Sequence, residues 1–331
     1  LAELADFERA IADMWVRGAP LIGVTAAYGL ARVAQYDASE SALQQASERL
    51  LATRPTAVNL RWALQRMRQV LAAVPAQQRA AAALAEAHAI RAADIDCCER
   101  IGGHGLDLLR QIHLANPDRP VQVMTHCNAG WLATVQWGTA LAPIYRAAQE
   151  GIPVHVWVSE TRPRNQGASL SAWELRQAGV DHTLVADNAC GHLLASGAVD
   201  CVLVGSDRTA ANGDVCNKIG TYLKALACAA HDVPFYVALP LSTVDWECPS
   251  GHAIPIEHRA ESEVVQAWGR DDRGEGNWFG LAPEGCKASN PAFDVTPAAL
   301  VRGLVTEFGV FSADGAGMAA LRAASATEAS R

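Results

Sequence analysis

The strongest constraint on this chain is a rhythm that begins near residue 120. Short runs of β-forming residues (VQVMTHC, PVHVWVSE, HTLVAD, DCVLVGSD and PFYVALP) alternate with Ala- and Leu-rich stretches of helical length. The runs are close to continuously apolar, as strands buried on both faces must be, and the intervening helices supply the cover. The pattern predicts a doubly wound parallel sheet. Its expected covering helices are GWLATVQWGTALAPIYRAAQEG, SLSAWELRQAGV and NKIGTYLKALACAAHDV.

Residues 1–115 read differently. They are rich in Ala, Leu, Gln and Arg, with apolar residues at helical spacing. Two breaks are expected. One is TRPT (Thr53–Thr56), where Pro55 disfavours helix at the residue before it; the other is IGGHG at 101–105. The turn-rich ANPDRP then marks a boundary. We therefore expect a mainly helical N-terminal domain over 1–117 and a Rossmann-like domain over 118–331. The chain starts at Leu1 inside a helical pattern, so the N-terminal domain is expected to be truncated at its start. The Ala/Ser-rich end is expected to fray or to form a short helix.

Composition narrows the function classes. A formal net charge of −8 argues against a general nucleic-acid binder. No apolar run is long enough to span a bilayer. The nine cysteines contain no CxxC pair and are odd in number, which points to reduced thiols in the cytoplasm. Cys248, His252 and His258 have a spacing that hints at a metal, but a fourth ligand is missing, so no metal is expected. No GxGxxG follows the first strand, and neither a GxxxxGK[ST] nor a GxSxG motif appears.

In open α/β sheets, ligands bind at the carboxyl ends of the strands. Here those ends carry THCNAG, SETRPRNQG, DNACG and GSDRTAANGDVCNKIGT, all dense in polar residues and glycine. Cys127 follows the first strand and precedes an expected helix, whose N-terminus would favour the thiolate. The bland alternative is a small buried hydrophobe. Asp207 ends the fourth strand, where desolvation would keep it protonated as a general acid; the alternative is a helix cap or a salt bridge to Arg208. Asn217 and Lys218 are expected to open a helix and to form an anion site, against an ordinary solvated lysine. Arg17, followed by the small residues Gly18 and Ala19, and Arg54 are further candidate ligand contacts. His126 is next to Cys127, but neighbours on a strand point to opposite sides.

Taken together, seven segments carry a resemblance. They are VRGAPLIGVTAAYGLA, TRPTAVNLRWALQRM, THCNAGWLATVQWGTALAPI, SETRPRNQGASLSAWEL, GSDRTAANGDVCNKIGTY, PSGHAIPIEHR and NPAFDVTP. In this order, the chain resembles the methylthioribose-1-phosphate isomerases. That family shares a superfamily with the regulatory subunits of the eukaryotic initiation-factor-two-B exchange factor. The resemblance implies an aldose–ketose isomerase with a helical N-terminal domain and a Rossmann-like domain, acting in methionine salvage, usually as a homodimer. It implies Cys127 and Asp207 as the catalytic pair. It also implies substrate contacts from Arg17, Gly18, Ala19, Arg54, Gln166, Asn217 and Lys218, with no metal or nucleotide cofactor. Two departures stand out: His258 replaces an acid in PIEHR, and Trp131 and Trp137 replace smaller residues. Alternatives on the same fold are an isomerase of ribose 1,5-bisphosphate or 5-deoxyribose 1-phosphate, or a non-catalytic sugar-phosphate-binding subunit.

Overall fold

A computed structural model describes residues 1–55 and 57–329; Thr56 of the TRPT segment, Ser330 and Arg331 lie outside the described residues. The N-terminal region is five helices: α1 (Leu4–Ala12), α2 (Ala19–Tyr36), α3 (Glu40–Thr53), α4 (Val58–Ala72) and α5 (Ala76–Ala115). α2 is the centre of this layer. Ile22, Ala26, Ala27, Leu30, Ala31 and Ala34 are all fully or nearly fully buried and join one core with Leu43, Leu60, Met67 and Ile90. The small residues along α2 let its neighbours approach, and Pro20 suits its first turn, where an N–H would lack a helical partner anyway.

IGGHG does not break the chain; it lies inside α5, which continues for 40 residues. The glycines serve packing instead. A Cβ on Gly102 would stand 3.2 Å from Ala142 Cβ, and one on Gly105 would overlap Pro143. Both contacts belong to α6 (Ala142–Gln149), the first helix of the next domain. Burial against α6 thus outweighs the roughly 1 kcal/mol that each helical glycine costs relative to alanine.

The main sheet begins with β1 (Val121–Thr125), β2 (Val154–Ser159), β3 (Asp181–Val185) and β4 (Cys201–Val204). A hairpin follows, β5 (Arg208–Ala210) and β6 (Val215–Lys218), and then β7 (Phe235–Ala238), which returns to the main sheet. β8 (Val244–Asp245) precedes a second hairpin, β9 (Gln266–Arg270) and β10 (Gly276–Gly280). β11 (Phe293–Thr296), β12 (Gly303–Thr306) and β13 (Gly309–Phe311) complete the set. The covering helices are α7 (Ala172–Gln177), α8 (Cys190–Ala195) and α9 (Thr221–Ala230), with short α10 (Ser262–Val265) and terminal α11 (Gly315–Ala329).

The seven-stranded order is β13-β12-β7-β4-β1-β2-β3. All pairings are parallel except β12 with β13. The chain thus winds outward through β1, β2 and β3, then crosses back to start β4 on the other side of β1. β1 and β4 are neighbours, with Val123 opposite Cys201 and Met124 opposite Val202. This is the topological switch point, where the strand ends splay and leave a crevice.

Two details differ from the sequence expectation. Residues 128–141 are not a helix: a single 3-10 turn, Trp131–Ala133, interrupts irregular chain before α6. Asn217 and Lys218 do not open a helix either; they end β6, within a four-stranded sheet of order β11-β6-β5-β8. The β5–β6 hairpin and its partner β11 explain this, because their ladder claims the backbone through Lys218, opposite Phe293, before α9 can start.

Candidate functional site

The first consequence of the switch point is that Cys127 and Asp207, each two or three residues beyond β1 or β4, stand at the same crevice. Cys127 has φ +62°, an uncommon left-handed conformation for a non-glycine residue. Its N–H donates to Thr161 Oγ1 at 2.8 Å, which holds that turn. The thiol donates to Gln166 Oε1 at 3.5 Å, and Arg17 Nη2 approaches Sγ at 3.7 Å. Because no helix starts at residue 128 and the side chain is buried, the thiolate expectation does not hold. Burial pushes the thiol pKa up; Arg17 and Lys218 pull it down, and Asp207 adds to the rise.

Asp207 precedes β5, and its N–H donates to Cys216 O at 3.0 Å. It lies deep among protein atoms yet keeps some accessible surface, as a group lining a crevice does. Its carboxyl pKa is raised, first by burial and further by Glu257, against the opposing charges of Lys218, Arg54 and Arg17. The charged surroundings are therefore mainly cationic. Desolvation still dominates, favouring the protonated acid.

The helical N-terminal region supplies the opposite wall. Arg17 lies in the loop between α1 and α2, and Arg54 is the residue after α3. Arg17 Nη2 donates to Asn128 O at 3.1 Å and Nη1 donates to Asn128 Oδ1. Arg54 Nη2 is 3.6 Å from Glu257 Oε2. The Nε of each arginine is buried with no protein partner. Gly18 has φ +88°, and a Cβ there would overlap the backbone of Ala133, so only glycine lets this loop press against the Cys127 segment. Ala19 then starts α2, whose N-terminus has no side-chain cap.

Lys218 is buried. Its Nζ donates to Ala292 O at 2.8 Å and lies 4.5 Å from the Phe293 ring centroid. Burial lowers its pKa, while Cys127 and Asp207 raise it. The expected anion site at the start of α9 is filled from within: Asp294 accepts from the backbone N–H of Gly220 at 2.6 Å and of Tyr222 at 3.1 Å. Asn217, adjacent to Lys218 on β6, turns its Nδ2 to Thr221 Oγ1 at 3.0 Å. His126 is committed elsewhere. Its Nε2 donates to Ile219 O at 2.8 Å, and burial lowers its pKa to about 3, so the ring is neutral.

Direct contacts and mutual charges thus bring Arg17, Cys127, Gln166, Arg54, Asp207 and Lys218 together, with Gly18 and Ala19 behind Arg17. Sequence reasoning missed Asn128, Thr161, Glu174 and Glu257. Glu257 had a signal, since it adjoins the departure at His258; His258 itself is exposed and bridges to Pro291. The others become visible only when the loops fold against one another.

Fold and site together define an α/β protein whose switch-point crevice offers a thiol and a carboxylic acid ringed by three cations, suited to a small anionic ligand. The sequence profile of the Initiation factor 2 subunit family matches residues 15–313. The chain belongs to that family. It is 58% identical over 314 residues to the methylthioribose-1-phosphate isomerase of Methylocella silvestris, covering 94% of this chain and 86% of that one. It is 56% identical over 327 residues to the enzyme of the same name from Rhodospirillum rubrum, covering 97% and 84%. Among solved structures, 5-methylthioribose 1-phosphate isomerase from Pyrococcus horikoshii superposes with a TM-score of 0.84 at 37% identity, covering 98% of this chain and 88% of that one. The eIF-2B delta subunit from A. fulgidus gives 0.76 at 36% identity, covering 94% and 88%.

Proposed function

We propose that this protein is an aldose–ketose isomerase converting 5-methylthioribose 1-phosphate to 5-methylthioribulose 1-phosphate in methionine salvage. The observation that carries this reading is the pairing of Cys127 with a desolvated Asp207 beneath Arg17, Arg54 and Lys218. The names of the relatives agree with it.

The substrate sets the chemical problem. Its anomeric oxygen is esterified, so that oxygen has no proton to release for ordinary ring opening. Asp207, held as an acid, donates its proton to the ring oxygen as the bond to carbon 1 breaks. The hydrogen on carbon 2 then passes with its bonding electron pair to the electron-poor carbon 1. The carbon-2 hydroxyl loses its proton to Asp207 and becomes the ketone, which restores the acid. Cys127 stands beside this path as a thiol, oriented by Gln166 and Arg17. Placed acid–base groups of this kind contribute about 10²–10⁴-fold each.

The phosphate is held by Arg17, Arg54 and the uncapped amides at Gly18 and Ala19, with Lys218 adding charge from below. The unpartnered arginine Nε groups are donors awaiting such an acceptor. Asn217 is assigned to the substrate's edge beside Lys218. We assign the protein to the cytoplasm and to a homodimer; its cysteines are free and mostly buried, which agrees with a reducing compartment.

The test is turnover of purified protein on methylthioribose 1-phosphate, ribose 1,5-bisphosphate and 5-deoxyribose 1-phosphate, with the ketose product followed by NMR. The methylthio substrate is expected to give the highest kcat/KM. Binding without turnover would replace this reading with a regulatory sugar-phosphate-binding subunit.

A further inference from the structure

The segment that carries Cys127 is shaped around one buried carboxylate. Glu174, on α7, has no exposed surface. It accepts hydrogen bonds from Asn128 Nδ2 at 2.8 Å, Trp131 N at 2.8 Å, Leu132 N at 3.0 Å and Tyr145 Oη at 2.9 Å. A Cβ on Gly130 would overlap this carboxylate, and Gly138, at φ +84°, packs on the space Gly130 leaves. A buried charge is expensive unless its lone pairs are satisfied, and here four donors from one loop and one helix converge on it.

The bond to Asn128 has a directional consequence. An asparagine amide is donor at one end and acceptor at the other. With Nδ2 held by Glu174 and by Ser171 Oγ at 3.2 Å, Oδ1 must face the opposite way, where it accepts from Arg17 Nη1. The same guanidinium presents Nη2 to Cys127 Sγ.

We propose that Glu174 is a positioning residue: through Asn128 it fixes the Arg17 guanidinium against the Cys127 thiol and so sets that thiol's reactivity. This rests on the isomerase reading for its catalytic consequence, though not for the relay itself. The groups facing the thiol are Arg17, Lys218 and Asp207, and Arg17 is the one whose place depends on the relay.

The experiment is site-resolved alkylation of Cys127 by iodoacetamide across pH, read by peptide mass spectrometry so that reaction at the exposed Cys286 is counted separately, together with kcat and KM. In Glu174→Gln the new amide N–H₂ meets backbone N–H donors, so the loop and Asn128 lose their register. The alkylation midpoint is expected to move to higher pH. On methylthioribose 1-phosphate, kcat is expected to fall on the order of 10²-fold, the cost of a small misplacement. Tyr145→Phe removes one bond to Glu174 without touching the relay, and both readouts should stay at wild-type values. Should Glu174→Gln not fold, Asn128→Ala leaves the backbone bonds to Glu174 in place and is expected to raise the midpoint in the same way. A wild-type alkylation profile in a folded Glu174→Gln or Asn128→Ala overturns the proposal, as does a Tyr145→Phe shift as large as that of Glu174→Gln. If the wild-type protein turns over no methylthioribose 1-phosphate, the isomerase reading fails while the alkylation arms still decide the relay.

Discussion

Arg54 Nη2 stands 3.6 Å from Glu257 Oε2, and both charges bear on the carboxyl of Asp207, the arginine lowering its pKa and the glutamate raising it. The Asp207 carboxyl is therefore tuned by a pair drawn from the helical N-terminal region and the sheet domain, one residue after α3 and one in the chain before α10.

That pairing makes Glu257→Gln informative. Activity that needs a protonated Asp207 falls as pH rises through its pKa. Removing the Glu257 charge lowers that pKa, and the freed Arg54 lowers it further. The alkaline fall of kcat/KM is expected to start at lower pH in the variant, as a pH–rate profile will read.

Asp207→Asn should separate activity from stability. Turnover is expected to fall about 10²–10⁴-fold. The folded-state pKa of Asp207 lies above its unfolded value, so its ionisation penalises the native state once pH rises beyond the unfolded pKa, near 3.9. The asparagine variant escapes this penalty. Its Tm is expected to match or exceed wild type at pH 8, with the difference closing as pH falls towards 4. A large loss of Tm at neutral pH would show that the carboxylate is structural.

Arg54→Ala should act on binding. Losing one charge-assisted contact to phosphate costs about 1.5–3 kcal/mol, or roughly 10–100-fold in KM, with kcat changed much less. Steady-state kinetics with the same substrate checks it.

Gly18→Ala should fail for two separate reasons, a Cβ overlapping Ala133 and a φ of +88°. A destabilisation of about 2–4 kcal/mol is expected from overpacking and backbone strain together, read by urea unfolding.

Much of this architecture was legible in the sequence because burial on two faces leaves a plain imprint. Four of the five apolar runs are the inner strands β1, β2, β4 and β7; the fifth is β3, which lies at the edge of the sheet and is largely exposed. Where reading failed, a tertiary contact had overridden a local preference. Gly102 and Gly105 look like punctuation, yet they are the groove that seats α6 on α5. Asn217 and Lys218 look like a helix start, yet pairing with β11, some 75 residues later, holds them in a strand. The stretch after Cys127 has helical composition, but the Glu174 carboxylate recruits its backbone N–H groups at Trp131 and Leu132.

The site follows the same division. Cys127 and Asp207 announce themselves by ending predicted strands, and strand order then brings them to one crevice. Asn128 carries no local signature, and Glu257 only the indirect one of adjoining His258. Their importance comes from what stands opposite them after folding.

The unbroken course of α5 has a bearing on how a ligand gets in and out. At 1.5 Å per residue, 40 residues make a rod of about 60 Å. One end is built into the helical layer through Ala83, Ala87 and Ile90, and the other is clamped on α6 by two glycines. Such a brace resists jaw-like rocking of the two halves. On the proposed function, substrate is expected to enter and leave at the rim, past the Arg17 and Arg54 loops and the chain around Glu257.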